Sequence, residues 1–168
     1  MKNSIIPYTL LLLVVVLLAI QLIHPQKNLS DNNIHHISKV YAVPASVSKI
    51  LKTSCNDCHS NFTEYPWYSS IQPVDWWLQH HVNEGKRELN FSEFATYRIF
   101  KQYHKLEETI EMVQEDEMPL SSYTLIHTNA KLSTEQKAIL KNWASAILDS
   151  MKASYPPDSL VNPFKRLQ

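Results

Sequence analysis

Residues 55–59 have the sequence Cys-Asn-Asp-Cys-His, and the rest of the fold is predicted to form around this stretch. Cys55 and Cys58 are the two cysteines of the 168-residue chain, and His59 follows the second one directly. This spacing is the attachment signature of c-type haem, in which each thiol forms a thioether to one vinyl group and the imidazole lies beneath the iron. The stretch therefore predicts one covalently attached haem c per chain, with its iron bound by His59.

Three other interpretations of the same spacing are open. A C-x-x-C pair is also half of a zinc site, but a closed structural zinc site usually has a second pair of ligands, and the chain has no third cysteine. A thioredoxin-like redox pair would need a βαβ context, and the sequence shows no alternating strand pattern. A disulfide between Cys55 and Cys58 would close a strained ring. Haem attachment fits the sequence better than these alternatives.

Charge and glycine content exclude several classes of partner. Sixteen basic residues balance sixteen acidic ones, so the formal net charge is zero and no basic excess indicates a nucleic-acid partner. Gly85 is the one glycine of the chain, which excludes the glycine-rich phosphate loops of nucleotide-binding proteins. We therefore expect neither nucleic acid nor a nucleotide as ligand.

An almost unbroken apolar run extends from Ile5 to Ile23, preceded by Lys2. A helix of about 19 residues is long enough to cross a ~30 Å hydrocarbon core, and no small-residue cleavage site follows at the expected distance. These features favour an uncleaved signal anchor in residues 1–24 over a removed signal peptide or a buried core helix. They predict a single-pass transmembrane helix in the inner membrane, with the haem domain on the periplasmic side.

Composition divides the remaining chain into three parts. The polar stretch 25–43 is predicted to be a linker, residues 44–150 the haem-binding domain, and residues 151–168 a proline-rich, loosely docked tail. His35 and His36 lie in the linker without a third ligand nearby, so we expect them to be solvated rather than to bind a metal or the haem.

Helical patterns flank residues 55–59 on both sides. Val47, Ile50 and Leu51 recur at helical spacing, which predicts a short helix that leads into Cys55. Further helices are predicted over Val74–Asn83, with Gly85 close to the end; from a capping box at Asn90 towards Gln114, with a break near His104; and from a capping box at Ser133 through Ile147. The chain is therefore predicted to be all-α, with its last helix packed across the helix before Cys55.

Met118 is the candidate for a second iron ligand. It lies in the stretch Glu117-Met118-Pro119-Leu120, where Pro119 ends a helix and the last helix is still to come. A thioether opposite an imidazole is the ligand pair of electron-transfer cytochromes, and this order of motif, helices, Met loop and last helix is that of a small class I cytochrome c. Met118 as a core filler remains open. Rival ligands are Met112, His81 and His127.

A resemblance to the bacterial haem-binding domain family, a family of small c-type haem proteins, is carried by six stretches. They are CNDCHSN (55–61), YPWY (65–68), IQPVDWW (71–77), HVNEG (81–85), LNFSE (89–93) and EMPL (117–120). The likeness covers about residues 45–150, and these stretches are far more specific than C-x-x-C-H alone. Phe94 stands where tryptophan is expected, and Thr128 where proline often follows the histidine; we interpret both as variation in packing.

The resemblance implies covalent haem on Cys55 and Cys58, His59 and Met118 as axial ligands, and usually an N-terminal membrane segment. We therefore expect a membrane-anchored monohaem c-type cytochrome that exchanges single electrons with redox partner proteins and has no catalytic residue. The alternative is a five-coordinate haem protein. Its iron would keep an open position, suited to gas or redox sensing or to a peroxidase-like reaction.

Overall fold

The computed structural model describes residues 5–163, and all regular structure in that range is helical. The α-helices are α1 Ile5–Ile20, α2 Ala45–Ser54, α3 Asn56–His59, α4 Val74–Glu88, α5 Ile99–Gln114, α6 Ser121–Thr124 and α7 Thr134–Ser154. Short 3-10 helices cover Ile37–Lys39, Trp67–Ser70, Phe91–Thr96, Thr128–Ala130 and Pro157–Ser159. Within the described part of the chain, β-structure is limited to an isolated antiparallel bridge between Leu29 and Phe62. The predicted all-α fold class is confirmed.

The N-terminal helix is shorter than the apolar run that encodes it. Helix α1 ends at Ile20, before the end of the apolar run, and its 16 described residues measure about 24 Å at 1.5 Å per residue, less than the ~30 Å of a hydrocarbon core. Between residues 5 and 163, no helix is long and apolar enough to span a membrane. The predicted transmembrane anchor is therefore wrong, and with it the predicted location in the inner membrane with a periplasmic haem domain. Lys2 lies outside the described residues.

Contacts with the start of α4 hold the residues that follow α1. Gln21 and Gln72 exchange hydrogen bonds: the Gln72 backbone N–H donates to Gln21 Oε1 at 2.9 Å, and Gln21 Nε2 donates to the Gln72 carbonyl at 3.3 Å. The carbonyl of Ile23 accepts from Gln72 Nε2 at 2.6 Å and from the Trp76 indole at 3.0 Å. The end of the apolar run is thus a segment docked on α4, which hydropathy alone does not indicate.

The stretch 25–43, which the composition predicts to be a linker, packs against the helical domain. Ile37 is 0% exposed and belongs to the main core. Asn28 is buried, and its Nδ2 donates to the Ser60 carbonyl at 3.0 Å. His35 is exposed, whereas the ring of His36 caps the 3-10 helix that begins at Ile37.

Helices α2, α5 and α7 enclose the main core, with α7 packed on the other two. A complete capping box between Ser133 and Gln136 starts α7, as the sequence predicts. The indole of Trp143 in α7 donates to the Ala42 carbonyl just before α2, at 2.9 Å. The predicted packing of the last helix across the helix before Cys55 is therefore confirmed. Helix α7 runs on to Ser154, and its Met151 is 1% exposed.

Two helix boundaries differ from those predicted. Helix α4 continues past the predicted end at Asn83 to Glu88, so Gly85 lies in the last turn of the helix. The stretch from Asn90 to Gln114 breaks at residues 97–98 and not near His104, because the 3-10 helix Phe91–Thr96 ends before α5, which runs unbroken from Ile99 to Gln114. Asn90 does cap the first element, through the Ser92 N–H, but the Glu93 carboxylate accepts from Asn61 Nδ2 at 2.7 Å instead of completing a capping box.

Candidate functional site

The stretch 55–59 forms one tight turn at the junction of α2 and α3. Cys55 is the C-cap residue of α2, and its N–H donates to the Leu51 carbonyl at 2.9 Å. Its own carbonyl accepts from the N–H groups of Cys58 and His59, at 3.2 and 2.9 Å. A single helical turn therefore holds both thiols and the imidazole together, and the two half-buried cysteines are free thiols.

The state of the thiols bears on the alternatives to haem attachment. Burial raises the pKa of Cys55 to about 12 and that of Cys58 to about 11. Both are therefore protonated at neutral pH, unlike the low-pKa thiols of redox motifs. In the described part of the chain, no three His, Cys, Asp or Glu side chains are grouped to hold a metal ion. The zinc, thioredoxin and disulfide interpretations gain no support.

The imidazole of His59 is fixed by two backbone carbonyls. Its Nδ1 lies 3.0 Å from the Gly85 oxygen and 3.0 Å from the Leu89 oxygen, both at the end of α4. Because carbonyls only accept, Nδ1 carries the proton, and the neutral ring has its lone pair on Nε2. Burial lowers the pKa of His59 despite the opposing effect of the two carbonyls. This is the tautomer and charge state that an iron-binding imidazole needs.

The four residues predicted to bind haem line one cavity. Cys55, Cys58, His59 and Met118 all border a space of about 280 Å³. The last two turns of α4 form one wall, and the stretch from Met118 into α6 forms another. The structure thus brings together residues that are 59 positions apart in the sequence, His59 and Met118.

Backbone contacts hold the loop that carries Met118. The N–H groups of Glu117 and Met118 both donate to the Met112 carbonyl, at 2.9 and 3.1 Å. Met118 is half-buried and borders the cavity, whereas Met112, its rival in the sequence, does not. The loop therefore directs one methionine to the site and uses the other as a backbone anchor.

A second cavity of about 270 Å³ adjoins the first. Both are bordered by Cys58, His81, Leu120 and Tyr123. Apolar side chains that border only the second include Val74, Trp77, Leu78 and Ile126. Ligand pockets usually measure about 300–1,000 Å³ and are mostly apolar, a size that the adjoining spaces reach together. Their apolar lining, with free thiols and a neutral imidazole at one side, fits a haem.

Tyr123, which no motif of the sequence marks, connects the two sides of the site. Its hydroxyl donates to Asp57 Oδ2 at 2.6 Å, and burial, followed by the Asp57 contact, raises the Tyr123 pKa above its usual value. Its ring stacks on His127 with centroids 4.4 Å apart. The Nε2 of His127 is in turn bonded to the Tyr68 hydroxyl at 2.9 Å, so this rival ligand is already engaged.

His81, the other rival ligand, belongs to α4. Its Nδ1 lies 2.9 Å from the Trp77 carbonyl, and its ring packs on the Trp77 indole at 4.4 Å. His81 is one helical turn before Gly85, whose carbonyl accepts from His59. His81 and the Gly85 carbonyl that orients His59 therefore belong to the same wall of the cavity, α4, and Met118 comes from a different wall.

A helical domain with a cavity that is bordered by two free thiols, a neutral imidazole and a thioether fits a haem-binding protein. The chain belongs to the haem-binding domain family, because the sequence profile of that family, described as "Haem-binding domain", matches residues 15–146. No curated protein and no solved structure matches the chain. The resemblance predicted from the sequence is confirmed, and haem is the cofactor.

Proposed function

We propose that the protein is a monohaem c-type cytochrome that transfers single electrons and catalyses no reaction on a substrate. Haem, when bound, supplies an iron that takes up and releases one electron. In this proposal Cys55 and Cys58 hold it covalently, and His59 and Met118 are the axial ligands. The observation that carries the proposal is the His59 ring, whose Nδ1 is used by two carbonyls and whose Nε2 is left for a metal, directly beside two free thiols.

The attachment chemistry needs both cysteines as thiols. Each thiol adds its sulfur to one vinyl carbon and its proton to the other, so no group leaves and no oxidant is needed. Both cysteines are free in the structure, and together with His59 they form a single turn. Since the chain has two cysteines, one haem per chain follows.

The arrangement of walls supports Met118 as the second axial ligand. Two axial ligands must approach the iron from opposite faces. His81 shares α4 with the carbonyls that orient His59, whereas Met118 is contributed by a separate loop. His127 borders only the second cavity, and its Nε2 is bonded to Tyr68.

The side chains near Met118 support electron transfer rather than peroxide chemistry. A peroxidase-like reaction needs a general acid or base that can reach the open side of the iron. The Tyr123 hydroxyl is committed to Asp57 and the His127 imidazole to Tyr68. Outside the turn of residues 55–59, the other titratable side chains that border the first cavity belong to α4 and not to the wall that carries Met118: His80, His81, Glu84 and Glu88. On the Met118 wall, Pro119 and Leu120 offer no proton.

Covalent attachment is tested with the full chain, produced in a bacterial host that carries a cytochrome c maturation system. We expect a haem stain on a denaturing gel for the wild type and its loss in the double variant Cys55→Ala, Cys58→Ala. Asn56→Ala, a change in the same turn that keeps both thiols, should keep the stain. A stain that persists in the double variant would overturn covalent attachment at these residues.

The second ligand is tested by comparing Met118→Leu with Met112→Leu. The wild type and Met112→Leu should show the near-infrared band of methionine-ligated ferric haem and a reversible one-electron couple. Met118→Leu should lose the band and bind carbon monoxide rapidly when reduced. If the wild type already lacks the band and binds carbon monoxide rapidly, the electron-transfer proposal fails, and a five-coordinate sensor or peroxidase-like protein replaces it.

A further inference from the structure

Gly85 lets α4 approach the turn of residues 55–59 more closely than any other residue would. A Cβ placed on Gly85 would lie 2.6 Å from the Cys58 carbonyl oxygen and 2.9 Å from Cys58 Cβ. Neither atom belongs to a flexible side-chain end, so neither can move aside without moving the turn. Any larger residue would therefore push α4 away from Cys58.

The demands of the helix itself do not explain this glycine. Glycine inside a helix costs about 1 kcal/mol relative to alanine. Gly85 does not adopt a positive φ, so no left-handed turn requires it. The reason for glycine is thus the close approach of α4 to the turn that holds Cys58.

This close approach places the end of α4 at the His59 ring. The Gly85 carbonyl accepts from the Leu89 N–H at 2.9 Å and also from His59 Nδ1 at 3.0 Å. The Leu89 carbonyl, at the C-terminal cap of α4, is the second acceptor. The C-terminal end of a helix carries partial negative charge, which favours a donor at this position.

We infer that Gly85 is a positioning residue that sets how strongly His59 donates its Nε2 electron pair to the haem iron. The inference rests on the proposed function, in which His59 is an axial ligand. Hydrogen bonds from the outer N–H of a ligating imidazole fix its orientation and raise its basicity. A more basic His59 stabilises the ferric state, so the contact made possible by Gly85 lowers the reduction potential.

The test compares Gly85→Ala with Asn83→Ala in the full chain. Asn83 is exposed on the same helix, and its side chain accepts only from Gln79 Nε2, so it controls for a new alanine in α4. Loss of a hydrogen bond to the outer side of a metal ligand typically lowers metal affinity or activity 10- to 100-fold. We expect Gly85→Ala to shift the ferric-to-ferrous ratio at a fixed potential about tenfold towards ferrous, a rise of about 59 mV for one electron.

The haem-free chain gives a second readout. Ring nitrogen NMR of His59 in the wild type should show Nδ1 protonated and Nε2 bare. In Gly85→Ala the Nδ1 proton should exchange faster with water, and the urea midpoint should fall. Asn83→Ala should leave the ring signals and the reduction potential unchanged.

Three outcomes would overturn the inference. One is a Gly85→Ala variant that is less stable but has the wild-type potential and the wild-type His59 signals, since Gly85 would then matter for packing alone. Another is a gain in stability of about 1 kcal/mol, the sign that helix propensity predicts. If the variant does not fold, the wild-type ring signals still decide, because a proton on Nε2 in the haem-free chain contradicts the contact.

Failure of the proposed function would look different. A wild-type protein without covalent haem, or with a haem iron that His59 does not bind, would contradict the proposed c-type cytochrome. The NMR comparison of the haem-free chains would still report whether Gly85 positions the His59 ring.

Discussion

The hydroxyl of Tyr123 donates a hydrogen bond to Asp57 Oδ2 at 2.6 Å and so joins α6 to the turn of residues 55–59. Asp57 occupies a variable position of the C-x-x-C-H motif, yet both its carboxylate oxygens are used. Oδ1 accepts from the Glu64 N–H at 3.0 Å, and the Asp57 backbone carbonyl accepts from the Thr63 hydroxyl at 2.6 Å. The turn that holds the thiols is therefore tied to the segment after it and to the wall that carries Met118.

We expect Tyr123→Phe to loosen this connection while it keeps the aromatic stack on His127. A hydrogen bond to a charged group contributes about 1.5–3 kcal/mol, and partial exposure of both groups reduces this to about 1–2 kcal/mol. Urea unfolding of the haem-free chain measures the loss. Tyr8→Phe, at an exposed position of α1, is the control and should be neutral. Equal midpoints for the two variants would show that the bond contributes nothing.

The residues proposed to bind haem could be recognised in the sequence because their signals are local. Cys55, Cys58 and His59 form one motif, and Met118 is marked by the proline that follows it and by its position before the last helix. Their gathering around one cavity agrees with that prediction. The capping box at Ser133 is equally local, and the helix begins where the sequence predicts.

The remaining features depend on contacts between distant segments. Leu89 orients His59 through its backbone carbonyl, which no pattern of side chains can reveal. The role of Tyr123 depends on a partner 66 positions away in the sequence. Helix α1 ends at Ile20, and the next residue, Gln21, bonds Gln72 across 51 positions, so the hydropathy of residues 5–23 overestimates how far the helix extends.

The two thiols should react slowly in the folded, haem-free chain. Burial raises their pKa from the ordinary 9.0 to about 12 for Cys55 and about 11 for Cys58. Since the thiolate is the nucleophile, alkylation by iodoacetamide at pH 8 should be at least about 100-fold slower for Cys58 than in the urea-unfolded chain, and slower still for Cys55. The folded rates should continue to rise with pH beyond 9, where those of the unfolded chain level off. Equal rates in the two states would contradict the burial of the thiols.

The His59 ring should make the haem-free chain sensitive to acid. Burial lowers the His59 pKa below the ordinary 6.5, so the unfolded chain takes up a proton at a higher pH than the folded chain does. The lowered His59 pKa therefore stabilises the folded chain fully only above pH 6.5. As the pH falls from 6.5 through the lower folded pKa, the free energy of unfolding decreases by at most about 1.4 kcal/mol per pH unit. His59→Asn, which keeps an N–H donor but does not titrate, should lack this dependence. The measurement is urea unfolding from pH 8 to pH 5. His104→Gln, at an exposed position, should retain the wild-type acid response.

Residues 21–27, the segment that follows α1, contact α4 mainly at Asp75, whose carboxylate is 0% exposed. It accepts from Lys27 Nζ at 3.2 Å and lies 2.7 Å from His24 Nδ1. Asp75→Asn leaves the partly buried Lys27 ammonium without its counter-charge. Removal of one partner from a buried pair costs about 3–5 kcal/mol, and the partial exposure of Lys27 and His24 lowers the expected loss to about 2–4 kcal/mol.

The same substitution should release the segment from α4, so that trypsin cuts after Lys27 faster than in the wild type. Asp149→Asn is the matched control, because its carboxylate pairs with Lys152 at 3.5 Å on an exposed face and should change neither stability nor cleavage. Wild-type cleavage and stability in Asp75→Asn would mean that the reciprocal bonds of Gln21 and Gln72 hold the segment by themselves. The double variant Asp75→Asn, Gln21→Ala separates the two contributions, because the Gln21 side chain makes both reciprocal bonds to the Gln72 backbone. Only the loss of both contacts would then free the segment.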